Sequence, residues 1–210
     1  MRVAPERLEK WISGFGERHG GVTAVSTDGG ALVLTAADGA VARFPVPPGA
    51  PVVAEADVNA FVQLAGAYRR IGLLLARKSA VGIGVAVGPG LTVSKVDSHY
   101  VQSRTAAGGW SQQRFARRRD NQAKAAAGDA ADLAARLLIP EAGTLDALVT
   151  GGDRRTVENI LADRRLAPLA PLVSDRFLDV PEPRHAVLEA ALAQAREIRI
   201  HLLDPGPERA

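Results

Sequence analysis

The chain has 210 residues, of which 47% are hydrophobic and 23% charged, a composition typical of a globular protein with a buried core. No apolar run reaches the roughly 18 residues needed to cross a bilayer, and the opening stretch, MRVAPERLEKW, lacks the apolar segment of a signal peptide. We therefore expect a cytoplasmic protein with no membrane contact. The absence of cysteine excludes disulfides and thiol nucleophiles, and the four scattered histidines predict neither a metal site nor a cofactor.

Positive charge is concentrated in the middle of the chain. Between Lys78 and Lys124 the sequence contains eight basic and two acidic residues, although the whole chain has a formal net charge of only +3. Such a concentration is typical of a face that binds a polyanion such as nucleic acid. On charge alone, a solvated helix face explains the same run equally well.

The first fifty residues predict a small α+β extension. A helix is predicted from Pro5 to Arg18, and three short β-like runs between residues 22 and 44 are separated by Asp-Gly turns. The proline-rich stretch 45–51 can continue neither a helix nor a central strand, which indicates a boundary. The predicted regions are an extension at 1–50, a main domain at 51–205 and a tail at 206–210.

The main domain is predicted to be α/β, with a mixed β-sheet flanked by helices. From Val81 to Val87, β-branched residues alternate strictly with glycine and alanine, which indicates a strand with another element packed closely on its glycine face. The other predicted elements are, in chain order, a helix at 58–68, strands at 73–76 and 91–101, a long helix from a loop at 106–112 to Leu138, a strand at 145–149, a helix ending at Leu161, strand regions at 172–173 and 177–180, and a final helix at 183–197.

The stretch at 106–119, AAGGWSQQRFARRR, has the most unusual composition in the chain. Two glycines give the backbone freedom, a tryptophan and two glutamines follow, and four arginines then crowd the first turns of the long helix. Cations at a helix N-terminus oppose the helix dipole, so we expect an external anion such as phosphate to neutralise them. Arg114, Arg117 and Arg118 share one helix face because they lie at i, i+3 and i+4.

This stretch resembles the GGQ loop and following helix of the class 1 peptide release factors of archaea and eukaryotes, which read GGQSxxRFxRxR. The matching residues run from Gly108 to Arg119. Leu148 to Asp153 resembles the strand and turn that follow this helix in the family, and Val180 to Ala195 resembles its last helix. The resemblance covers roughly residues 68–200 and implies the fold of the family's central catalytic domain.

One departure from the GGQ pattern is closer to the Vms-like release factors. Trp110 stands in place of the family's glutamine, and Gln112 and Gln113 follow Ser111. This is similar to the Gly-Ser-Gln type of loop in the Vms-like factors, which cut peptidyl-tRNA on stalled large subunits and include a compact bacterial branch. Nothing in the sequence resembles the codon-reading domain of a termination factor.

The resemblance implies a peptidyl-tRNA hydrolase that releases nascent chains from stalled ribosomes or split large subunits without reading a codon. Its partners would be the ribosomal large subunit, 23S-type rRNA and the CCA end of peptidyl-tRNA in the P site. A glutamine amide can hold the hydrolytic water by donating and accepting, with Gln112 the first choice and Gln113 the second. The predicted catalytic-loop residues are Gly108, Gly109, Ser111, Gln112 and Gln113, and the predicted RNA-binding residues are Arg104, Trp110, Arg114, Arg117, Arg118, Arg119 and Lys124.

Other interpretations stay open. Without the resemblance, the glycines and glutamines are typical of an ordinary solvated loop. Two positions are equally consistent with the sequence for Lys95, Tyr100 and Arg104: facing RNA, or lying on the surface of a strand. A non-catalytic ribosome-binding module would need the same basic helix. A nuclease on an RNase-H-like sheet needs clustered carboxylates for metal ions, and the basic segment offers only Asp97 and Asp120, which counts against it.

Overall fold

The computed structural model describes residues 1–77, 79–98 and 127–204, and the chain divides into two compact units. The first unit consists of Met1–Arg69 together with Ala193–Ala210, and the second of Arg70–Leu192. This division differs from the boundaries predicted at residues 50 and 205, because the chain returns to the first unit at its end.

The helices and strands of the described residues are as follows. The strands are β1 (Arg2–Val3), β2 (Val22–Asp28), β3 (Ala31–Ala36), β4 (Val41–Phe44), β5 (Arg70–Ala76), β6 (Ala80–Val87), β7 (Gly90–Ser98), β8 (Ala147–Gly152), β9 (Val173–Leu178), β10 (Ile198–Arg199) and β11 (His201–Leu203). The α-helices are α1 (Leu8–Arg18), α2 (Val58–Gly66), α3 (described over 127–138), α4 (Arg154–Leu161) and α5 (His185–Arg196), and 3-10 helices cover Pro5–Arg7 and Arg164–Leu172.

The first unit is built on an antiparallel sheet with the order β11-β4-β3-β2, and β1 pairs separately with β10. Helix α1 buries Leu8, Ile12 and Phe15, which recur at the helical period, in one cluster with the sheet residues Leu34 and Phe44. The α1 helix and the three strands from residue 22 to 44 confirm the elements predicted there.

The proline-rich stretch predicted as a boundary lies inside the first unit. Val46, inside this stretch, and Val53, just after it, pack against the same core as Phe61 of α2. The amide of Val53 also donates to the carbonyl of Gly30 at 3.1 Å. The prolines follow the end of β4, because proline has no amide proton to donate to a neighbouring strand. The same property that suggested a domain boundary here ends a strand within one unit.

The second unit contains a five-stranded mixed sheet with the order β7-β6-β5-β8-β9. Strands β5, β6 and β7 are antiparallel neighbours, whereas β8 runs parallel to both β5 and β9. Helices α3 and α4 contribute Leu138 and Val157 to a core cluster with Leu74 and Ile83 on one face of this sheet. The predicted α/β fold, a mixed sheet flanked by helices, is confirmed.

The glycine face of β6 receives a neighbouring element, as its alternating sequence predicts. A Cβ on Gly82 would lie 3.1 Å from Cβ of Pro183 and 3.4 Å from Cγ of Leu188 in α5. On the opposite face, a Cβ on Gly72 would lie 3.5 Å from a methyl of Leu138 in α3. Helices therefore pack on both faces of the sheet.

Two predicted elements differ from the structure. Of the strand predicted at 172–173, Leu172 is instead the last residue of a 3-10 helix, Arg164–Leu172, whereas Val173 begins a strand. Strand β9 then covers Val173–Leu178 as one element. The predicted end of the strand at 99–101, the loop at 106–112 and the first part of the long helix lie outside the described residues.

Candidate functional site

All the predicted catalytic and RNA-binding residues, from Arg104 to Lys124, lie outside the described residues. In chain order they belong to the link between β7 and α3, which covers residues 99–126. The described residues on either side of this link show where β7 ends and where α3 packs. Lys95, the described member of the basic segment on β7, is exposed.

Strand β7, which precedes the link in the chain, ends at one edge of the sheet, which we call the carboxyl edge. The parallel strands β5, β8 and β9 end there, at Ala76, Gly152 and Leu178. Strand β7 runs in the same direction as β5, because each is antiparallel to β6, and its last residue, Ser98, pairs with Ala80. In open α/β sheets the carboxyl ends of the strands are where ligands bind.

Helix α3, which follows the link in the chain, belongs to the second unit and packs into its core. Ala130, Ala134 and Leu138 are buried, with at most 4% of each exposed. Since Leu138 packs near Gly72 at the start of β5, the helix runs back from the carboxyl edge toward the opposite edge. The described flanks of the link thus both lie on the carboxyl-edge side of the domain.

An arginine on the second 3-10 helix ties α3 to the rest of the unit. Arg165 forms ion pairs with Asp132 of α3 and with Asp163, both at 2.7 Å. The side-chain hydrogen bond from Arg165 and that from its backbone amide lower the pKa of Asp163 to about 2. The same carboxylate partners raise the pKa of Arg165, so the guanidinium stays charged. Arg165 thus joins α3 to the second 3-10 helix through Asp132.

The turn between β8 and α4 at the carboxyl edge requires glycine. Gly152 has a φ of 99°, and a Cβ there would lie 2.2 Å from the carbonyl oxygen of Ala76. That carbonyl accepts a hydrogen bond from the amide of Asp153 at 2.7 Å. The Asp153 carboxylate then caps α4 by accepting from the amide and hydroxyl of Thr156. The sequence Gly-Gly-Asp therefore allows β5 to approach this turn closely.

Three further contacts at the carboxyl edge join the β5–β6 turn to the segment that follows β9. Arg77 donates to the carbonyl oxygen of Val180 at 2.8 Å and pairs with Asp179 at 3.2 Å. The hydroxyl of Ser79 donates to the carboxylate of Glu182 at 2.5 Å. We did not predict these residues from the sequence, because partners more than a hundred positions apart leave no local pattern.

A hydroxyl, an imidazole and a carboxylate lie in a row at a groove of about 320 Å³ between β7 and α5. The Ser94 hydroxyl is 3.4 Å from Nδ1 of His185, and Nε2 of His185 is 3.5 Å from the Glu189 carboxylate. Both distances are longer than the separation of roughly 2.6–3.2 Å between the heavy atoms of a nucleophile and the base that activates it. We therefore assign no catalytic role to these three groups.

Among the described residues, no group of three or more histidines, aspartates and glutamates is arranged to hold a metal ion. No helix in the described part of the chain is both long and apolar enough to cross a membrane.

The described part of the second unit is an α/β domain with a mixed sheet, and in the sequence a basic, glycine-containing segment connects its strand β7 to its helix α3. The model of the family described as Actinobacteria/chloroflexi VLRF1 release factor matches residues 69–201. The chain belongs to this family. Membership in a release factor family connects the protein with translation.

Solved structures show more distant similarity. One, titled only as an archaeal protein, is 15% identical with a TM-score of 0.41, covering 78% of this chain and 52% of that one. The archaeal translation termination factor aRF1 is 18% identical with a TM-score of 0.43, covering 78% and 51%. The Vms1 mitochondrial localization core is 8% identical with a TM-score of 0.47, covering 93% and 81%. The chain thus spans about half the length of the two archaeal structures. No curated protein sequence matches it.

Proposed function

We propose that the protein is a ribosome-dependent peptidyl-tRNA hydrolase of the cytoplasm that releases nascent chains without reading a codon. The observation that supports this most strongly is that a release factor family matches residues 69–201, a range that contains the whole β7–α3 link with its sequence GGWSQQRFARRR. The substrate is the ester between the nascent peptide and the terminal ribose of tRNA in the P site of the large subunit.

The proposed chemistry is the positioning of a water molecule. Gln112 orients this water by donating to it and accepting from it, while Gly108 and Gly109 allow the backbone to extend toward the ester. Holding a reactant in a near-attack geometry is worth several kcal/mol of activation free energy, so no strong nucleophile is required. Backbone amides of the same loop stabilise the oxyanion of the tetrahedral intermediate.

The arginines that follow the glutamines supply the affinity for the ribosome. In this proposal Arg114, Arg117 and Arg118 pair with phosphates of 23S-type rRNA, and the same phosphates offset the unfavourable placement of cations at a helix N-terminus. Trp110 stacks on an RNA base or wedges the loop in place. The site needs no metal ion and no cofactor, since an amide-held water and the ribosome provide all the groups that react.

The test uses purified large subunits that carry a labelled peptidyl-tRNA in the P site. The wild-type protein should free the peptide in a single turnover, as followed by separating peptide from tRNA. Gln112→Ala should abolish release but still bind the subunit, because the loop keeps its arginines. Gln113→Ala should slow release less. Gln63→Ala is the matched control, since Gln63 is an exposed glutamine of α2 in the first unit, and it should leave the rate unchanged.

Each contrary outcome has a distinct meaning. A wild-type protein that binds large subunits but frees no peptide would identify a non-catalytic ribosome-binding module. If Gln113→Ala is inactive while Gln112→Ala releases peptide normally, then Gln113 positions the water. If both variants stay active, the amide side chains do not hold the water.

A further inference from the structure

The end of β7, which the β7–α3 link follows in the chain, is supported from one side of the strand. Among the described residues, β7 is the last strand of its sheet and pairs with β6 alone. At its end Ser98 pairs with Ala80, the first residue of β6. The position of the link's origin therefore depends on how the start of β6 is held.

The start of β6 is held by its pairing with the end of β5, where Val81 lies opposite Ala76, and by the turn that precedes it. The amide of Arg77 donates to the carbonyl of Ala80 at 2.9 Å, which closes this turn. Ser79, directly before Ala80, donates its hydroxyl to the carboxylate of Glu182 in a partly buried hydrogen bond. Hydrogen bonds to an ionised acceptor are stronger than neutral ones, so this contact is a firm attachment.

The segment to which the turn is attached is itself fixed in the core. Val180 is only 2% exposed, and Cβ of Pro183 lies 3.1 Å from the position that a Cβ on Gly82 would occupy. The carbonyl of Val180 accepts from Arg77 as well, at 2.8 Å. The Arg77–Asp179 ion pair adds little, because the Asp179 side chain is 98% exposed.

We propose that Ser79, Glu182 and Arg77 form a clamp that positions the origin of the β7–α3 link and thereby the catalytic loop within it. Ser79 and Glu182 are positioning residues, since they lie on strand-end segments and act through β6 and β7. This inference rests on the proposed function. A displacement of about 1 Å in a positioned group can cost on the order of 100-fold in rate, so a loosened origin should be visible in kinetics.

The clamp predicts a change in the rate constant rather than in binding. Ser79→Ala and Glu182→Ala should each lower the single-turnover rate constant of peptide release by about tenfold, at saturating protein, because the loop samples productive geometry less often. The concentration for half-saturation should stay within about twofold of wild type, since the arginines that bind rRNA are retained. The double variant should be no slower than the slower single variant, because both changes remove the same hydrogen bond.

Two further variants separate positioning from general loss of stability. Ser79→Thr keeps the hydroxyl and should restore most of the rate. Glu158→Gln neutralises an exposed glutamate of α4 away from the clamp and should behave as wild type. A variant that simply unfolds in part would lower the amount of active protein and so raise the apparent half-saturation concentration, leaving the saturated rate constant unchanged.

The measurement is single-turnover release from large subunits with labelled peptidyl-tRNA, over a series of protein concentrations. A wild-type protein with no release overturns the proposed function and the clamp's role together. An active wild type with Ser79→Ala and Glu182→Ala at the wild-type rate constant overturns the clamp alone. Loss confined to the half-saturation concentration also overturns it, since the residues would then only stabilise the fold.

Discussion

Replacement of Gly152 by alanine tests the close approach at the carboxyl edge. A residue with a side chain at a φ of 99° is strained by about 1–3 kcal/mol. The added Cβ would also lie 2.2 Å from the carbonyl oxygen of Ala76, so that oxygen must move away from the Asp153 amide that it accepts from. Weakening that hydrogen bond costs a further 0.5–1.5 kcal/mol, roughly. We expect Gly152→Ala to lower the free energy of unfolding by about 3 kcal/mol.

Gly128→Ala provides a control, because it makes the same glycine-to-alanine change but should raise the free energy of unfolding rather than lower it. Gly128 lies in helix α3, and no atom lies within 4 Å of the position of its Cβ. Alanine in a helix is favoured over glycine by about 0.5–1 kcal/mol, so this variant should be more stable than wild type. The pair distinguishes an effect of local geometry from a general effect of glycine replacement.

Both variants are measured by urea-induced unfolding, followed by far-UV circular dichroism. Because the chain forms two compact units, the transition of the second unit is identified as the one that Gly128→Ala moves to higher urea. A Gly152→Ala variant whose transition lies within about 0.5 kcal/mol of wild type would refute the reasoning, since the turn would then tolerate a side chain without strain.

Two other predictions concern charge. Replacing Arg114, Arg117 and Arg118 by alanine should weaken ribosome association and flatten its salt dependence, by a log–log slope of about 0.7–0.9 per lost phosphate contact in cosedimentation. An unchanged slope would mean that these arginines form only a solvated face. Arg165 lowers the pKa of Asp163 from 3.8 to about 2, so the stability this adds is present above about pH 4 and is lost as the pH falls toward 2. In Arg165→Gln the unfolding temperature should therefore depend less steeply on pH between about pH 4 and pH 2 than in the wild type. The same pH dependence in both proteins would show that Arg165 does not lower the pKa of Asp163.

The elements that the sequence predicted well are those whose periodicity reflects local packing. The alternation from Val81 to Val87 indicated both the strand and an element packed on its glycine face, because glycine leaves room for a close neighbour. Helix α1 was predicted for the same reason, since Leu8, Ile12 and Phe15 all enter one core.

The features that the sequence did not predict depend on partners far along the chain. Strands β10 and β11 have two and three residues, too few for an alternating pattern, and exist because they pair with β1 and β4. The Ser79–Glu182 hydrogen bond joins residues 103 positions apart. At the site, the catalytic loop and the RNA-binding arginines remain predictions, since they lie in the link outside the described residues.

The central claim, codon-independent hydrolysis on the large subunit, is tested most directly by comparing two substrates. One is the isolated large subunit with labelled peptidyl-tRNA and no messenger RNA, and the other is a complete ribosome with a stop codon in the A site. We expect rapid release from the isolated subunit, and loss of that release in Gln112→Ala. Release that occurs only from the complete ribosome, and only with a stop codon, would contradict the account.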